Sequence, residues 1–368
     1  MADCFGRYLR VTTFGESHGP AVGAVVEGLP AGLEVSLDEI RRLMDRRRPG
    51  ASDLVSSRNE PDRVEVLSGV ESGRTIGSPV ALLIRNLDAR PEEYRRTRKL
   101  FRPGHADFTW FEKFGRMPPS GGGRLSGRET AARVAAGALA MSFMASLGMK
   151  VRGYTLSVGP VSCRKVVPEF AEQHPLRCAD PDVASEMTDV VRKASSSGDS
   201  VGGRIEVVAE GVPAGLGEPV FGKLDALLAG AMVSVGGVKG VEIGEGFRLC
   251  RLKGSEANDQ MSREGFLSNR CGGTLGGIST GRPIVVRLAV KPTPSISNRQ
   301  RTTGPDGEDA DLEIHGRHDP CLCPRVVAVA EAMAALVIAD AAIAQRTRNM
   351  DGYYYFFGPR ARNGPPGV

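Results

Sequence analysis

Two histidines on glycine-flanked turns are the first sign of chemistry in this chain. Thr13-Phe-Gly-Glu-Ser-His-Gly19 follows an alternating run at residues 8–12, so Ser17 and His18 fall on a turn at a strand's end. Glycines there let backbone come close to a ligand. Histidine exchanges a proton near neutrality, and a neighbouring hydroxyl relays that proton or steadies the ring. An isolated Ser-His pair is more commonly a satisfied turn with a cap. Arg102-Pro-Gly-His-Ala-Asp107 supplies a second candidate, His105, beside a permanent cation and a carboxylate able to orient the imidazole. The bland alternative makes Asp107 the cap of a following helix.

Ser120-Gly-Gly-Gly-Arg-Leu-Ser-Gly-Arg-Glu-Thr130 carries more information. Ser126 and Glu129 have the spacing of a capping box before an alanine-rich helix, which brings a glycine loop to a helix N-terminus. Free N–H groups and the dipole favour an anion there, and Arg124 and Arg128 add forked cations, so a phosphate is expected. The loop lacks the Gly-Lys-Ser/Thr of a nucleotide-binding P-loop and the spacing of a dinucleotide fingerprint. Lys291-Pro-Thr-Pro-Ser295 ends a strand with a cation and two hydroxyls suited to ribityl or phosphate oxygens. In Gly316-Arg-His-Asp-Pro320, Arg317 suits an anion and Asp319 is either a base or a cap. Cys321-x-Cys323 has no second thiol pair nearby, and Pro324 fits a helix's first turn, so no metal is expected.

The elements that must position these residues look duplicated. Glu27-Gly-Leu-Pro-Ala-Gly-Leu33 recurs as Glu210-Gly-Val-Pro-Ala-Gly-Leu216, each after a β-branched run and before a helix. Gly73-Arg-Thr-Ile-Gly-Ser-Pro79 and Gly276-Gly-Ile-Ser-Thr-Gly-Arg-Pro283 each precede an apolar strand. Each half then reaches a polar loop feeding an alanine-rich helix, at 131–143 and 325–343. One domain over 1–368 is expected, with pseudo-repeats at about 1–152 and 153–347 and a tail at 348–368. Residues 156–203 and 299–313 read as irregular or loop.

Composition is ordinary for a globular chain of 368 residues, with 41% hydrophobic and 25% charged residues. The net charge of +5 hides local crowding at Arg41, Arg42, Arg46, Arg47 and Arg48, and again at Arg95, Arg96, Arg98, Lys99 and Arg102, which favours an anionic partner. No aromatic interleaves with the first run, against RNA binding. Seven cysteines without framework spacing, and no apolar leader, fit a reducing cytoplasm. The longest apolar stretch, 326–343, is broken by Glu331 and Asp340 and reads as a packed helix, so no membrane span is expected.

TTFGESHG, RRRPG, EPD, FRPGHAD, SGGGRLSGRET, GVPAGLGEPVF, VKGVEIGEGF, GGTLGGIST, KPTPS and GRHDPC together resemble the chorismate synthase family, in that family's order, across roughly residues 5–347. The resemblance implies an α+β fold, a β-α-β sandwich with internal pseudo-twofold duplication, and a homotetramer. It implies bound FMN, used reduced, and a lyase reaction of the shikimate pathway to aromatic amino acids. That reaction is the anti-1,4-elimination of phosphate from 5-enolpyruvylshikimate 3-phosphate to chorismate, without net redox.

By the same resemblance, Arg47, Arg102, Arg128 and Arg317 hold substrate, with Arg124 a further candidate. His18 with Ser17 protonates the departing phosphate, His105 protonates reduced flavin, and Asp319 relays the ring proton. FMN contacts fall on Arg124, Leu125, Ser126, Gly236, Gly237, Gly276, Lys291, Pro292, Thr293, Pro294, Ser295 and Arg317. Asp53 stands where the family often has arginine, Gly236-Gly237 replaces Asn-Ala, and Pro294 replaces serine, which puts a substrate or NADPH contact at position 53 in doubt. Without a recognisable NADP motif, an external reductant is expected. A different flavin oxidoreductase, a phosphate-ester enzyme and an RNA-binding protein are the rival readings.

Overall fold

The computed structural model describes residues 3–50, 54, 56, 58, 60–89, 99–314, 316, 318–346 and 348. Asp53, Arg95, Arg96, Arg98, Arg317 and the tail from 349 lie outside the described residues. The first half runs β1 (Cys4–Phe5), β2 (Arg10–Gly15), β3 (Ala21–Glu27), α1 (Leu37–Arg47), β4 (Val64–Ser68), the hairpin β5 (Val70–Glu71) and β6 (Arg74–Thr75), β7 (Val80–Arg85), α2 (Asp107–Phe114) and α3 (Thr130–Ser146). The second runs β8 (Lys150–Val158), β9 (Val161–Ser162), α4 (Pro168–Gln173), α5 (Ala184–Ser196), β10 (Gly203–Glu210), α6 (Leu224–Val233), β11 (Val238–Ile243) and α7 (Gly254–Ala257). There follow hairpins β12 (Met261–Ser262)/β13 (Gly265–Phe266) and β14 (Thr274–Leu275)/β15 (Ile278–Ser279), strand β16 (Ile284–Val290), hairpin β17 (Gln300–Thr303)/β18 (Asp309–Leu312), and α8 (Cys323–Gln345).

Two five-stranded antiparallel sheets, ordered β1-β2-β3-β7-β4 and β11-β16-β10-β8-β9, enclose a helical layer. Setting aside edge strands β1 and β9, both halves give the same spatial order, with β2, β3, β7 and β4 matching β8, β10, β16 and β11. The strands alternate as a half-buried sheet requires: Val22, Ala24 and Val26 on β3, Val80, Leu82 and Ile84 on β7, and Ile205, Val207 and Ala209 on β10 all turn inward. Helix α3 packs on the first sheet, α8 on the second, and the two helices pack on each other.

The repeated Pro-Ala-Gly-Leu segments are braced identically. Thr75 Oγ1 donates to Pro30 O at 2.6 Å and accepts from Leu33 N at 3.0 Å. Ser279 Oγ donates to Pro213 O at 2.6 Å and accepts from Leu216 N at 2.8 Å. In each half a short hairpin, β5–β6 or β14–β15, presents that hydroxyl.

Alanine-rich faces let α3 and α8 approach closely. At Gly137 a Cβ would stand 2.4 Å from Ala332 Cβ and 2.7 Å from Ala332 Cα, so both backbones meet there. Gly137→Ala is therefore expected to destabilise the fold by about 1–3 kcal/mol through overpacking. A lower urea midpoint at unchanged slope is the readout. An unchanged midpoint would mean the helices have room to spare at this crossing.

By length and composition α8 is apolar enough to cross a membrane, but 83% of its most apolar window is buried inside the protein. Its two carboxylates are both matched. Glu331 accepts from Arg46 at 2.7–2.8 Å and from the Gly153 amide at 2.6 Å. Asp340 Oδ1 gathers the amides of Tyr8 and Leu9 at 2.6 and 2.7 Å, with Arg7 at 3.2 Å.

Two expectations are corrected. Residues 156–203 contain the amphipathic helix α5, which buries Ala184, Met187 and Val191, with Ser196 as its last residue. Its apolar stripe is sparse among charged residues, which concealed the period. Residues 299–313 contain the hairpin β17–β18, which carries cross-strand ion pairs Arg299–Asp311 and Arg301–Asp309 on its exposed side and buries Leu312 on the other.

Candidate active site

The two histidine turns meet on the glycine loop. Strand β2 ends at Gly15 and delivers Ser17, which is buried and donates its N–H to Gly123 O at 3.4 Å, with His18 half-buried beside it. Asn86, just past β7, pins the turn by donating to the carbonyls of Glu16 at 2.9 Å and Gly19 at 2.7 Å. On the loop's other side, a Cβ at Gly122 would lie 3.2 Å from His105 Cε1 and 3.4 Å from Arg102 Nη2. Only a left-handed glycine (φ +88°) fits here, because the histidine ring rests on its backbone.

His105 is oriented as the sequence suggested. Asp107 Oδ1 lies 2.9 Å from His105 Nδ1, and Asp107 receives Arg102 through Nε at 2.6 Å and Nη2 at 2.7 Å. Asp107 is thus committed to the turn, and α2 starts with no side-chain cap. Burial works against its charge, but bonds from Arg102 and His105 outweigh that and hold the carboxyl far below its ordinary range. Nδ1 is taken by Asp107, with Arg102 Nη2 a further neighbour at 3.1 Å, which leaves Nε2, next to Gly122, to act. A cleft of about 540 Å³ opens against this turn, between Phe108 and β17.

The Lys291–Ser295 segment abuts the same turn. Lys291 Nζ donates to Gly104 O at 2.5 Å, and Gly104 packs on Pro294. Lys291 N donates to Gly237 O at 2.8 Å, which draws Gly236 and Gly237 onto the same ledge. Thr293 Oγ1 turns inward to donate to Asp319 O at 2.7 Å, and Ser295 is buried, so Thr293 joins loops instead of presenting its hydroxyl outward. Pro292 is exposed and Pro294 half-buried on this ledge. Gly276 is elsewhere: the β14–β15 hairpin hangs from the Ile284 end of β16, about 20 Å of strand from Lys291 at the other end.

Asp319 does not cap α8, which begins at Cys323 with Pro324 in its first turn. It accepts from Ser56 N at 2.9 Å and from Arg325 Nη1 at 2.5 Å, and Arg325 Nε reaches Arg47 O at 3.0 Å. Cys321 and Cys323 are both core residues.

Arg47 and Arg128 converge on Asp62, one guanidinium on each carboxylate oxygen. Arg47 also reaches Gly127 O at 3.3 Å, and Arg128 reaches Asn86 Oδ1 at 2.7 Å. Burial pushes Arg47 down to about 10 against the pull of Asp62, with Arg325 and Arg128 adding to the fall, which leaves it charged at neutral pH. Burial would raise Asp62, but the two arginines hold it below its ordinary value. Most of the arginine run at 41–48 is paired: Arg46 and Arg47 point inward, Arg42 meets Glu39 and Arg48 meets Asp45, while Arg41 is exposed.

Two details of the glycine loop differ from expectation. Ser126 caps through Arg128 N at 3.3 Å, but no reciprocal bond from Glu129 closes a capping box. The Glu129 carboxylate is instead taken by Arg133 at 2.9 Å and Thr13 at 3.2 Å, one turn on and across to β2. Arg124 does not point ahead of the helix; it clamps the loop to β2 through Thr13 Oγ1 at 2.7 Å and Gly15 O at 3.2 Å, and to Asp3 at 2.8 Å. Leu125 ends the short 3₁₀ turn between them.

Ser17, His18, His105, Arg102, Arg47, Arg128, Lys291 and Asp319 thus form one circuit of contacts linking both halves. Sequence reasoning missed Ser56, Arg58, Glu60, Asp62, Asn86 and Arg325, which tie the circuit together. The Glu60-Pro-Asp62 motif was visible, but its partners lie up to 66 positions away.

Known proteins place this assembly. The sequence profile of the family described as chorismate synthase matches residues 9–343. A chorismate synthase of Nitrosospira multiformis is 51% identical over 94% of this chain and 88% of its own length. One from Methanothermobacter thermautotrophicus is 51% identical over 91% of this chain and 92% of its own. A crystal structure of chorismate synthase superposes with a TM-score of 0.74 at 33% identity, covering 93% of this chain and 94% of that one. With the profile spanning most of the chain and relatives at half identity along nearly all of it, this chain belongs to the chorismate synthase family, lyases of the shikimate pathway.

Proposed function

We propose that the circuit around the glycine loop eliminates phosphate from 5-enolpyruvylshikimate 3-phosphate to give chorismate, with reduced FMN as cofactor and no net redox. The observation that carries this reading is the meeting of the two histidine turns on Gly122 and Gly123. Phosphate leaves an allylic position readily only if its charge is neutralised, and the ring hydrogen lost with it is scarcely acidic. Transient electron density, lent to the allylic system and recovered, is the chemistry that reduced FMN supplies when bound.

The ledge of Gly236, Gly237 and Lys291–Ser295 beside His105 fits a flat ring: a Cβ at Gly236 would meet nothing within 4 Å, and glycine backbone flanks His105 at Gly104 and Gly122. Gly236, Gly237, Lys291 and Pro292 would hold FMN, together with Leu125 and Ser126, and His105 Nε2 would carry the proton exchanged with it. His18, with Ser17, would protonate the leaving phosphate. Arg102 would bind the substrate's anions with Arg317, which lies outside the described residues, while Arg47 and Arg128, buried on Asp62, would add positive potential behind them. Asp319, charge-balanced by Arg325, would receive the ring proton.

The repeated strand order and the matching Thr75 and Ser279 braces support a single domain of two pseudo-repeats arising by duplication. The proposal extends to a homotetramer in a reducing cytoplasm, supplied by an external flavin reductant. All seven cysteines are free, Cys163 and Cys178 standing 3.9 Å apart unbonded.

Mixing the chain anaerobically with FMN, dithionite and the enolpyruvyl ester is expected to release chorismate and phosphate in equal amounts. Oxidised FMN should yield neither. Net consumption of reductant in step with product would point instead to an oxidoreductase.

A further inference from the structure

Beside the Ser17 turn stands a cation with no part in the roles above. Arg58 donates from Nη1 to Ser17 Oγ and from Nη2 to Ser17 O, both at 3.3 Å. Glu60 grips its other edge, with Oε1 3.2 Å from Nε and 2.6 Å from Nη2. The Glu60 side chain is 0% exposed while that of Arg58 keeps 15%. Glu60 is itself fixed, accepting the amides of Leu87 at 2.9 Å and Asp88 at 3.3 Å. On the N-terminal side, Arg58 N donates to Ser56 Oγ at 3.3 Å, and Ser56 N donates to Asp319 Oδ1 at 2.9 Å. The segment is thus strung between the Ser17 turn and the Asp319 loop.

The geometry separates Arg58 from the arginines behind it. Side chains of Arg47 and Arg128 are 0% and 2% exposed and directed at Asp62. Arg58 is oriented by a buried carboxylate on Nε and Nη2, while Nη1 donates to a neutral hydroxyl and the second bond of Nη2 goes to a carbonyl, both at the long end of hydrogen-bond range. A phosphate oxygen is a much stronger acceptor for a guanidinium fork than either.

We propose that Arg58 is a substrate-binding residue, set in place by Glu60, whose guanidinium takes the phosphate that leaves beside Ser17 and His18. This rests on the reading that the Ser17–His18 turn receives the leaving group. The competing role for Arg58 is to neutralise Glu60 and nothing more.

Inorganic phosphate, tested as a competitive inhibitor of the flavin-loaded enzyme under anaerobiosis, probes the site without turnover. Arg58→Met is expected to raise both the phosphate Ki and the substrate KM at least about 10-fold, with FMN affinity unchanged. Because that variant leaves buried Glu60 without its close cation, with only Arg128 at 4.0 Å, a double variant, Arg58→Met with Glu60→Gln, removes both charges and keeps the test available if the single one does not fold. The double variant is expected to recover the wild-type melting temperature but not the wild-type Ki. Recovery of Ki and KM in the double variant, or a wild-type Ki in folded Arg58→Met, would overturn the proposal. Ser17→Ala and His18→Ala separate the two claims. If they raise Ki and the Arg58 variants do not, the role of Arg58 alone fails; if they leave Ki and turnover untouched, the reading of the turn fails and the proposal with it.

Discussion

His105→Ala is expected to lower chorismate formation roughly 10-fold to 10⁴-fold, the range for removing a positioned acid–base group. The side chain lies over Gly122 and is bound through Nδ1 to Asp107, so its loss removes a proton carrier without opening the core. His18→Ala should fall in the same range, since its turn meets the opposite side of the same loop. Both variants should keep the wild-type melting temperature, and wild-type turnover in either would refute its assigned role. Asp107 stays ionised throughout the working pH range because Arg102 and His105 overcome the effect of burial. Asp107→Asn should therefore lower turnover at all pH values instead of shifting one limb of the profile.

The largest effect on stability is expected at Asp62. Its carboxylate carries both Arg47 and Arg128 in the interior, and removing one partner of such a cluster leaves uncompensated buried charge. Asp62→Ala should cost about 3–5 kcal/mol. Urea unfolding with FMN present checks this, and a loss below about 1 kcal/mol would mean that the arginines find other partners. The pH dependence has a definite sign. The folded-state value of Asp62 is depressed, so its contribution is complete above the ordinary carboxylate value of about 4 and disappears as pH falls through the lower folded value. The wild type should lose this stability on acidification, whereas the variant lacks it from the start.

Much of this was legible from local signals. Glycine-flanked turns, the β-branched runs and the repeated Pro-Ala-Gly-Leu segments are short-range patterns, and each appears in the fold where its chemistry requires. Pairings over long separations were not legible. Arg124 looked like a phosphate ligand because it follows three glycines, yet β2 and Asp3 lie close enough to take it. Glu129 has capping-box spacing, but Arg133 and Thr13 compete successfully for its carboxylate. Arg58 gave no signal of its own, and Asp62, though part of the visible Glu60-Pro-Asp62 motif, gave none of its partners, because what matters at each is a group brought near by sheet topology. The hairpin β17–β18 escaped for the opposite reason: its charges lie on one face, and the other face, Gln300, Thr302, Ala310 and Leu312, is too polar to give the apolar alternation by which strands are recognised.

The bonds from Arg7, Tyr8 and Leu9 to Asp340 span more than 330 positions. During synthesis, the first strands emerge long before the helix that anchors their N-terminal end; α3 can cover their inner face early, but the far side of α3 and the inner face of the second sheet wait uncovered until α8 leaves the ribosome. Maturation is thus a late, all-or-none event that no released N-terminal fragment can complete, and nascent chains stalled before residue 340 should depend on chaperones to stay out of aggregates.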